Sequence, residues 1–311
     1  MTGKPLVSVL VPTYNQERFV GETLNSLLAQ DYTPMQIVVR DDGSSDATPR
    51  IVREYADRHP ERILLLEGGR NLGIAGNCNA ILRACTGRYI ALFAGDDVSL
   101  PGKLSTQVEW LEGDERRVFC HHDVETFESA TGRTLYLYSQ RHPLRGGSAA
   151  DLVRHPAFCA GPSVMVRRSA IPAEGYDTRI RVASDWLFFM ETILSSGIDT
   201  PSAGVVPGVY ARYRRHEHNA TNDADLYGLA EGLLGYQILA GRAPALRTQI
   251  ARASSERLAT YGFRRVLSGS FVSGTHLVLR SLWQSPIGLA RSLMNAARYY
   301  TTAPRAARAR R

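Results

Sequence analysis

The first half of this 311-residue chain alternates short, unbroken apolar runs with amphipathic stretches, and that alternation restricts the fold more than any other feature. Unbroken apolar runs suit strands buried on both faces of a parallel sheet, and the stretches between them suit the covering helices. The expected strands are Leu6–Val11, Gln36–Arg40, Ile63–Leu66, Tyr89–Phe93 and Val118–Cys120. Between the first two, Phe19, Val20, Thr23, Leu24, Leu27 and Leu28 recur at helical spacing. A second helix is expected after Asp42-Gly43-Ser44-Ser45, with Ser45 or Asp46 as N-cap, a third over Gly73–Cys85, and a fourth from Pro101. Past Gly161 the alternation weakens. Ser163–Val166 reads as a strand, Ser184–Ser196 as a helix, and 225–300 as helices punctuated by Gly241, Pro244, Gly262, Gly269 and Pro286. The expected class is α/β: a Rossmann-like, mostly parallel sheet flanked by helices, with a helical C-terminal extension.

In an open α/β sheet, ligands gather beyond the carboxyl ends of the strands. The first strand runs into Pro12-Thr13-Tyr14-Asn15 and the second into Asp41-Asp42-Gly43-Ser44, so these would form one wall of a pocket. A carboxylate there can accept from a base N–H or a ribose hydroxyl. Read alone, Asp-Asp-Gly-Ser is first of all turn and cap chemistry. The fourth strand ends in Gly95-Asp96-Asp97. Two adjacent acids at the end of a buried strand are costly unless a cation neutralises them. Successive side chains point to opposite sides, so one can face a metal and the other a ribose. Mn2+ or Mg2+ suits such a place, held by one or two carboxylates with phosphate oxygens completing the shell; a solvated acidic turn is the competing reading.

Taken in order, Val9-Leu10-Val11-Pro12-Thr13-Tyr14-Asn15, Asp41-Asp42-Gly43-Ser44-Ser45-Asp46, Asn71-Leu72-Gly73, Asn79 and Gly95-Asp96-Asp97 resemble the family 2 glycosyltransferases of the GT-A fold. Gly161-Pro162-Ser163-Val164-Met165-Val166-Arg167-Arg168, Ala183-Ser184-Asp185-Trp186-Leu187-Phe188 and Tyr213-Arg214-Arg215-His216 continue the resemblance, which covers roughly residues 5 to 221. It implies an inverting, metal-dependent transferase acting on a nucleotide-diphosphate sugar. Pro12, Thr13, Tyr14, Asn15, Asn71, Gly73 and Asn79 would line the nucleotide pocket, with Asp42 (Asp41 less so) on a uracil-type base and Asp96 on the ribose. Asp97 would be the main metal ligand, with Asp96 and His216 as further ones, and Arg214 and His216 would touch the diphosphate. Gly161, Pro162, Ser163 and Trp186 would face the acceptor. Asp185 would be the general base that takes the proton of an acceptor hydroxyl; from the residues alone it could equally cap its helix, and His216 could belong to a solvated basic face. Two positions depart from the family pattern: Ala94, where an Asp is common, and Cys78, where a basic residue is common. The implied division is a catalytic domain over 1–222 (nucleotide half about 1–120, acceptor half about 121–222), helices over 223–300 and a basic tail over 301–311.

Charge sharpens the picture. Residues 241–311 hold thirteen arginines against one acid, Glu256, a net of +12, so 1–240 carries −5 of the chain's +7. A basic C-terminal region points to an anionic partner. Val266–Leu279 lacks formal charge and lies between Arg264-Arg265 and Arg280. It is too short to span a bilayer but suited to lie at a membrane surface; a helical subdomain with a solvated basic face is the rival reading, and a homodimer contact through these helices is also open. Met1–Pro5 leads straight into a strand-like run, so no signal peptide is expected, and the expected location is cytoplasmic, peripheral on the inner face of the cell membrane. Cys78, Cys85, Cys120 and Cys159 show no metal-ligand spacing and are expected reduced in the core. His121-His122-Asp123 is expected at a pocket rim or surface. Two rival functions fare worse. A nucleotidyltransferase needs a glycine-rich phosphate loop with Arg and Lys after the first strand, and a non-catalytic lipid-binding scaffold has no reason to keep Asp42, Asp97 and Asp185 together. No nucleic-acid motif is present. The expected acceptor is a glycan or lipid-linked glycan, in cell-surface polysaccharide synthesis, with a UDP- or dTDP-sugar donor.

Overall fold

In a computed structural model of the protein, residues 3–302 are described. The basic tail expected over 301–311 falls, from residue 303 on, outside them. The described residues form two compact units, one running to Leu152 and including Pro156–Ala224, the other Val153–His155 with the residues from Asp225 on.

The first unit is built on a nine-stranded mixed sheet. Strands β1 (Val7–Thr13), β2 (Met35–Asp41), β3 (Ile63–Leu66) and β4 (Tyr89–Leu92) pair in parallel in the order β3-β2-β1-β4. Helices α1 (Val20–Leu28), α2 (Thr48–Arg58) and α3 (Gly73–Ala84) make the crossovers between them. The sheet continues through the short β5 (Val98–Ser99), β6 (Phe119–Glu128), the hairpin strand β7 (Thr134–Leu137), β8 (Met165–Arg167) and the long β9 (Ala203–Arg215), in the order β4-β8-β6-β9-β5 with β7 beside β6. There β8 runs antiparallel to β4 and β6, and β9 runs parallel to β6. Helices α4 (Lys103–Glu112), α5 (Ala149–Leu152) and α6 (Ser184–Leu194) complete the unit. Val7, Val9, Val11, Ile37 and Val39 pack with Leu24, Leu27 and Val52 into one core, which is why these strands read as continuous apolar runs.

The second unit is helical: α7 (Ala224–Arg242), α8 (Arg247–Leu267), α9 (Phe271–Gln284) and α10 (Pro286–Thr302). The α/β class, the sheet flanked by helices and the helical C-terminal region are as expected.

Several details differ. The strand expected over Ser163–Val166 is shifted to Met165–Arg167, because Gly161–Ser163 closes a 3-10 turn first. The second helix starts at Thr48 with Ala47 at the N-cap position, one residue beyond the expected Asp46, whose Oδ1 accepts the Thr48 N–H at 2.9 Å from outside the helix. His121 and His122 are not at a rim. They lie on β6, between β8 and β9, and both are fully buried. Burial pushes His121 down to about 4 and His122 well below its ordinary value, so both rings are neutral. All four cysteines are free and buried, as expected.

Candidate active site

The parallel register sets Thr13 opposite Asp41 and Leu10 opposite Leu92, so the carboxyl ends of β1, β2 and β4 come together. Gly95 permits the closest approach. A Cβ there would stand 2.4 Å from Gln16 Oε1 and 2.7 Å from Thr13 Cγ2.

At the β2 end, the two acids divide their work. Asp41 is consumed by its own loop: Oδ2 accepts the N–H groups of Gly43 (3.0 Å) and Ser44 (2.8 Å), and Oδ1 accepts the Thr13 hydroxyl at 3.2 Å. This is an Asx-type turn, helped by Gly43 at φ +79°. Asp42 instead pairs with Arg40, Nη1 to Oδ1 at 2.9 Å, and the same oxygen accepts the Leu72 N–H at 2.8 Å. Arg40 is fixed in turn by Asn77 Oδ1 at 2.8 Å. Sequence reasoning passed over Arg40 and Asn77. Arg40 places a positive charge beside Asp42, and Asn77 holds it there.

Of the other residues expected on this wall, Tyr14 is 51% exposed and its ring is open to a ligand. Asn15, at φ +49°, is engaged in loop locking: its Oδ1 accepts the Ser45 N–H at 2.9 Å. Asn71 Oδ1 accepts the Gly73 N–H at 3.0 Å. Asn79 clamps the Tyr176 backbone, donating to its carbonyl at 2.8 Å and accepting its N–H at 2.7 Å. Both edges of its amide thus hold the Tyr176 segment in place.

The second acidic pair sits between β4 and β5, where β9 reaches it. Asp97 is fully buried. Its Oδ1 accepts the Arg214 backbone N–H at 2.9 Å, and its Oδ2 is a buried acceptor with no hydrogen-bond partner. Burial first, then the neighbouring Asp96 carboxylate, raise Asp97 well above the usual carboxylate range. Asp96 Oδ2 accepts from His216 Nε2 at 3.0 Å. Because His216 Nδ1 accepts the His218 N–H at 3.2 Å, the ring proton belongs on Nε2 and the imidazole donates to Asp96. Arg214 is likewise turned to support: Nε donates to the Asp96 carbonyl at 2.7 Å, and Nη2 pairs with Glu22 at 2.5 Å. Phe19 and Phe127 flank its guanidinium. Arg214 and His216, expected near a diphosphate, both brace the Asp96–Asp97 corner in this structure. Glu22, Phe127 and Asn219, whose amide donates to the Arg214 carbonyl at 3.1 Å, complete that corner and were missed.

Among the described residues, no group of three or more His, Cys, Asp and Glu side chains could hold a metal by itself. The orphaned Asp97 Oδ2 beside Asp96 does fit a hard cation that draws its remaining oxygens from a ligand.

Asp185 opens α6. Its Oδ1 accepts the Trp186 N–H at 2.7 Å, yet the residue is exposed. Surrounding protein nonetheless pushes its carboxyl up, against the pull of the Trp186 N–H. The buried Cys78 thiol is pushed up to about 12 by burial, and then by the carboxylates of Asp185 and Asp42, which puts it within electrostatic reach of both. On the expected acceptor side, Pro162, Ser163 and Trp186 are buried, the Ser163 hydroxyl being spent on the Ala160 carbonyl at 2.6 Å. Gly161 is part-exposed, with open space where a Cβ would stand.

The carboxylates thus gather at the carboxyl ends of the strands, where open α/β sheets bind ligands, and comparison with known proteins gives the family. The family model described as glycosyl transferase family 2 matches residues 8–173, and the chain belongs to that family. An uncharacterized protein of Mycobacterium tuberculosis is 31% identical over 226 residues, 70% of this chain and 61% of that protein, so the match spans about three fifths of that relative. The putative glycosyltransferase EpsE of Bacillus subtilis is 34% identical over 204 residues, 61% of this chain and 69% of EpsE. The Escherichia coli UDP-Glc:alpha-D-GlcNAc-diphosphoundecaprenol beta-1,3-glucosyltransferase WfgD is 37% identical over 106 residues, 34% of this chain and 41% of WfgD. Among solved structures, S. aureus TarS 1-349 in complex with UDP superposes with a TM-score of 0.59 at 20% identity, over 84% of this chain and 73% of that one. The mannosyltransferase PcManGT from Pyrobaculum calidifontis, in complex with GDP-Man and Mn2+, gives 0.58 at 20% identity, over 97% and 88%. These likenesses establish the GT-A-type fold.

Proposed function

We propose that the protein is an inverting glycosyltransferase that moves a sugar from a UDP- or dTDP-sugar to a hydroxyl of a glycan or lipid-linked acceptor, in cell-surface polysaccharide synthesis. The observation that carries this reading is Asp97, a fully buried carboxylate with one oxygen capped by a backbone N–H and the other without a partner. As an ion such a group is costly in isolation, and a cation beside it would offset that cost. Family membership and one relative whose name includes a UDP-sugar donor and a diphosphoundecaprenol acceptor support the substrate classes.

In this reading Asp42, steadied by Arg40 and Asn77, accepts the N3–H of the base, and the Tyr14 ring lies along the nucleotide. Asp96, oriented by His216, meets the ribose. Asp97, with Asp96 beside it, would hold Mn2+ or Mg2+, which when bound offsets the charge growing on the leaving diphosphate. Asp185 takes the proton from the acceptor hydroxyl as the oxygen bonds to the anomeric carbon. The carbon–oxygen bond to the diphosphate breaks on the opposite face, so configuration inverts.

Calorimetric titration with UDP tests the donor half. Binding is expected with Mn2+, weaker with excess chelator, and absent in Asp97→Ala. Failure to bind either UDP or dTDP under both conditions would overturn the assignment.

A further inference from the structure

Helices in water turn their apolar residues inward. Helix α9 does the reverse. Gly274, Leu277 and Ser281 form its buried face, while Phe271, Val272, Leu279, Leu282 and Trp283 are exposed, Val272 at 88% and Trp283 at 91%. At helical spacing these five fall on one continuous stripe, about a third of the circumference.

The packing beneath explains how this is possible. Gly262 of α8 and Gly274 of α9 meet backbone to backbone: a Cβ on Gly274 would stand 2.7 Å from the Gly262 carbonyl oxygen. Gly288 of α10 closes on Ser255, and Ser281 Oγ donates to the Ser255 carbonyl at 2.8 Å. Helices joined through Gly and Ser, with large apolar side chains outward, are the arrangement suited to a hydrocarbon surround. No described helix is long and apolar enough to cross a membrane. These helices would therefore lie along one. Charge selects its type. From Arg257 to Thr302 there is no acid, and Arg264, Arg265 and Arg280 are exposed. A shallow recess of about 640 Å³ at the start of α9 is lined by Arg265, Ser270, Phe271 and His276 among others, joining cationic and apolar groups.

We infer that the exposed face of α9, with Ile287, Leu293 and Met294 of α10, is a docking surface for an anionic phospholipid bilayer. The stripe enters the acyl boundary and the arginines meet headgroup phosphates. A second copy of the chain would bring like charges together, whereas anionic lipid neutralises them. The inference deepens the reading of a lipid-linked acceptor and rests on it for purpose, but its test contains no nucleotide, metal or acceptor, so the two can fail separately.

The test is flotation of the full chain with phosphatidylglycerol-containing vesicles and with pure phosphatidylcholine vesicles. Salt-sensitive flotation with the anionic vesicles is expected, along with quenching of Trp283 by brominated lipid; Trp110 and Trp186 are less exposed. Leu279→Gln/Trp283→Gln should lower partitioning roughly a hundredfold, and neutralising Arg264, Arg265 or Arg280 roughly fivefold each. Unchanged melting temperatures would show that these exposed substitutions leave the fold intact. Absence of flotation, or flotation indifferent to the double variant, overturns the inference. Self-association relieved by the double variant, without flotation, overturns it in favour of a second copy.

Discussion

A carboxylate that takes a proton from a hydroxyl must be charged and within reach at working pH. Asp185 is exposed, and its carboxyl is raised by the protein around it. Protonated, it cannot act as a base, so activity should fall as pH drops through that raised value. The acid limb of kcat is expected above the ordinary Asp range near 3.9. Asp185→Asn should lower kcat by roughly 10²- to 10⁴-fold and abolish the limb, with UDP affinity little changed; a variant that loses UDP binding as well would make Asp185 a structural cap. Lys103 makes a different residue-scale case. It is fully buried, and burial depresses it to about 7. Between that value and an unfolded value near 10.4 the unfolded chain holds more protons, so this lysine's cost is full below about pH 7 and fades as pH rises. Replacing it by Met removes that cost. The stability of Lys103→Met relative to the parent should therefore decline from about pH 7 to about pH 10, measured by urea denaturation of both at each pH.

At the scale of elements, the site is a set of strand ends held by clamps. Asn79 on α3 grips the Tyr176 backbone from both edges of its amide. Gly175 must lack a Cβ for this, since one would stand 2.3 Å from Asn79 Oδ1. Asn79→Ala leaves a buried N–H and carbonyl unpaired and should cost about 1–3 kcal/mol in chemical denaturation, with kcat reduced more than UDP affinity if the segment steadies Asp185. The parallel strands were legible because burial on both faces writes itself as unbroken apolar runs. The positions of Asp42, Asp96 and Asp97 after strands and of Asp185 at a helix start were legible too. The long β9 was not foreseen, because Val205 to Arg215 mixes Pro207, Gly208, tyrosines and arginines and pairs with β6 through register shifts. His121 and His122 were misplaced for the same reason: a polar residue on a central strand carries no local sign of burial. Nor does sequence reveal that Arg214 and His216 spend their polar atoms on acids distant in the chain.

At the scale of the molecule, the two units differ in what could stabilise them. The carboxylates of the candidate site all lie before Ala224, in the first unit, while the second consists of helices joined through Gly and Ser. A ligand that binds only the folded first unit adds RT ln(1 + [L]/Kd), about 2.7 kcal/mol at a hundredfold excess over Kd. For a unit of that size this corresponds to a shift of roughly 5–10 °C. Scanning calorimetry of the full chain should therefore resolve two transitions, and UDP with Mn2+ should move one of them upward and leave the other in place. Asp97→Ala should keep both transitions and lose the shift. A single cooperative transition moving as a whole would mean that the units unfold together, and the division near residue 224 would then describe contacts and not independent stability.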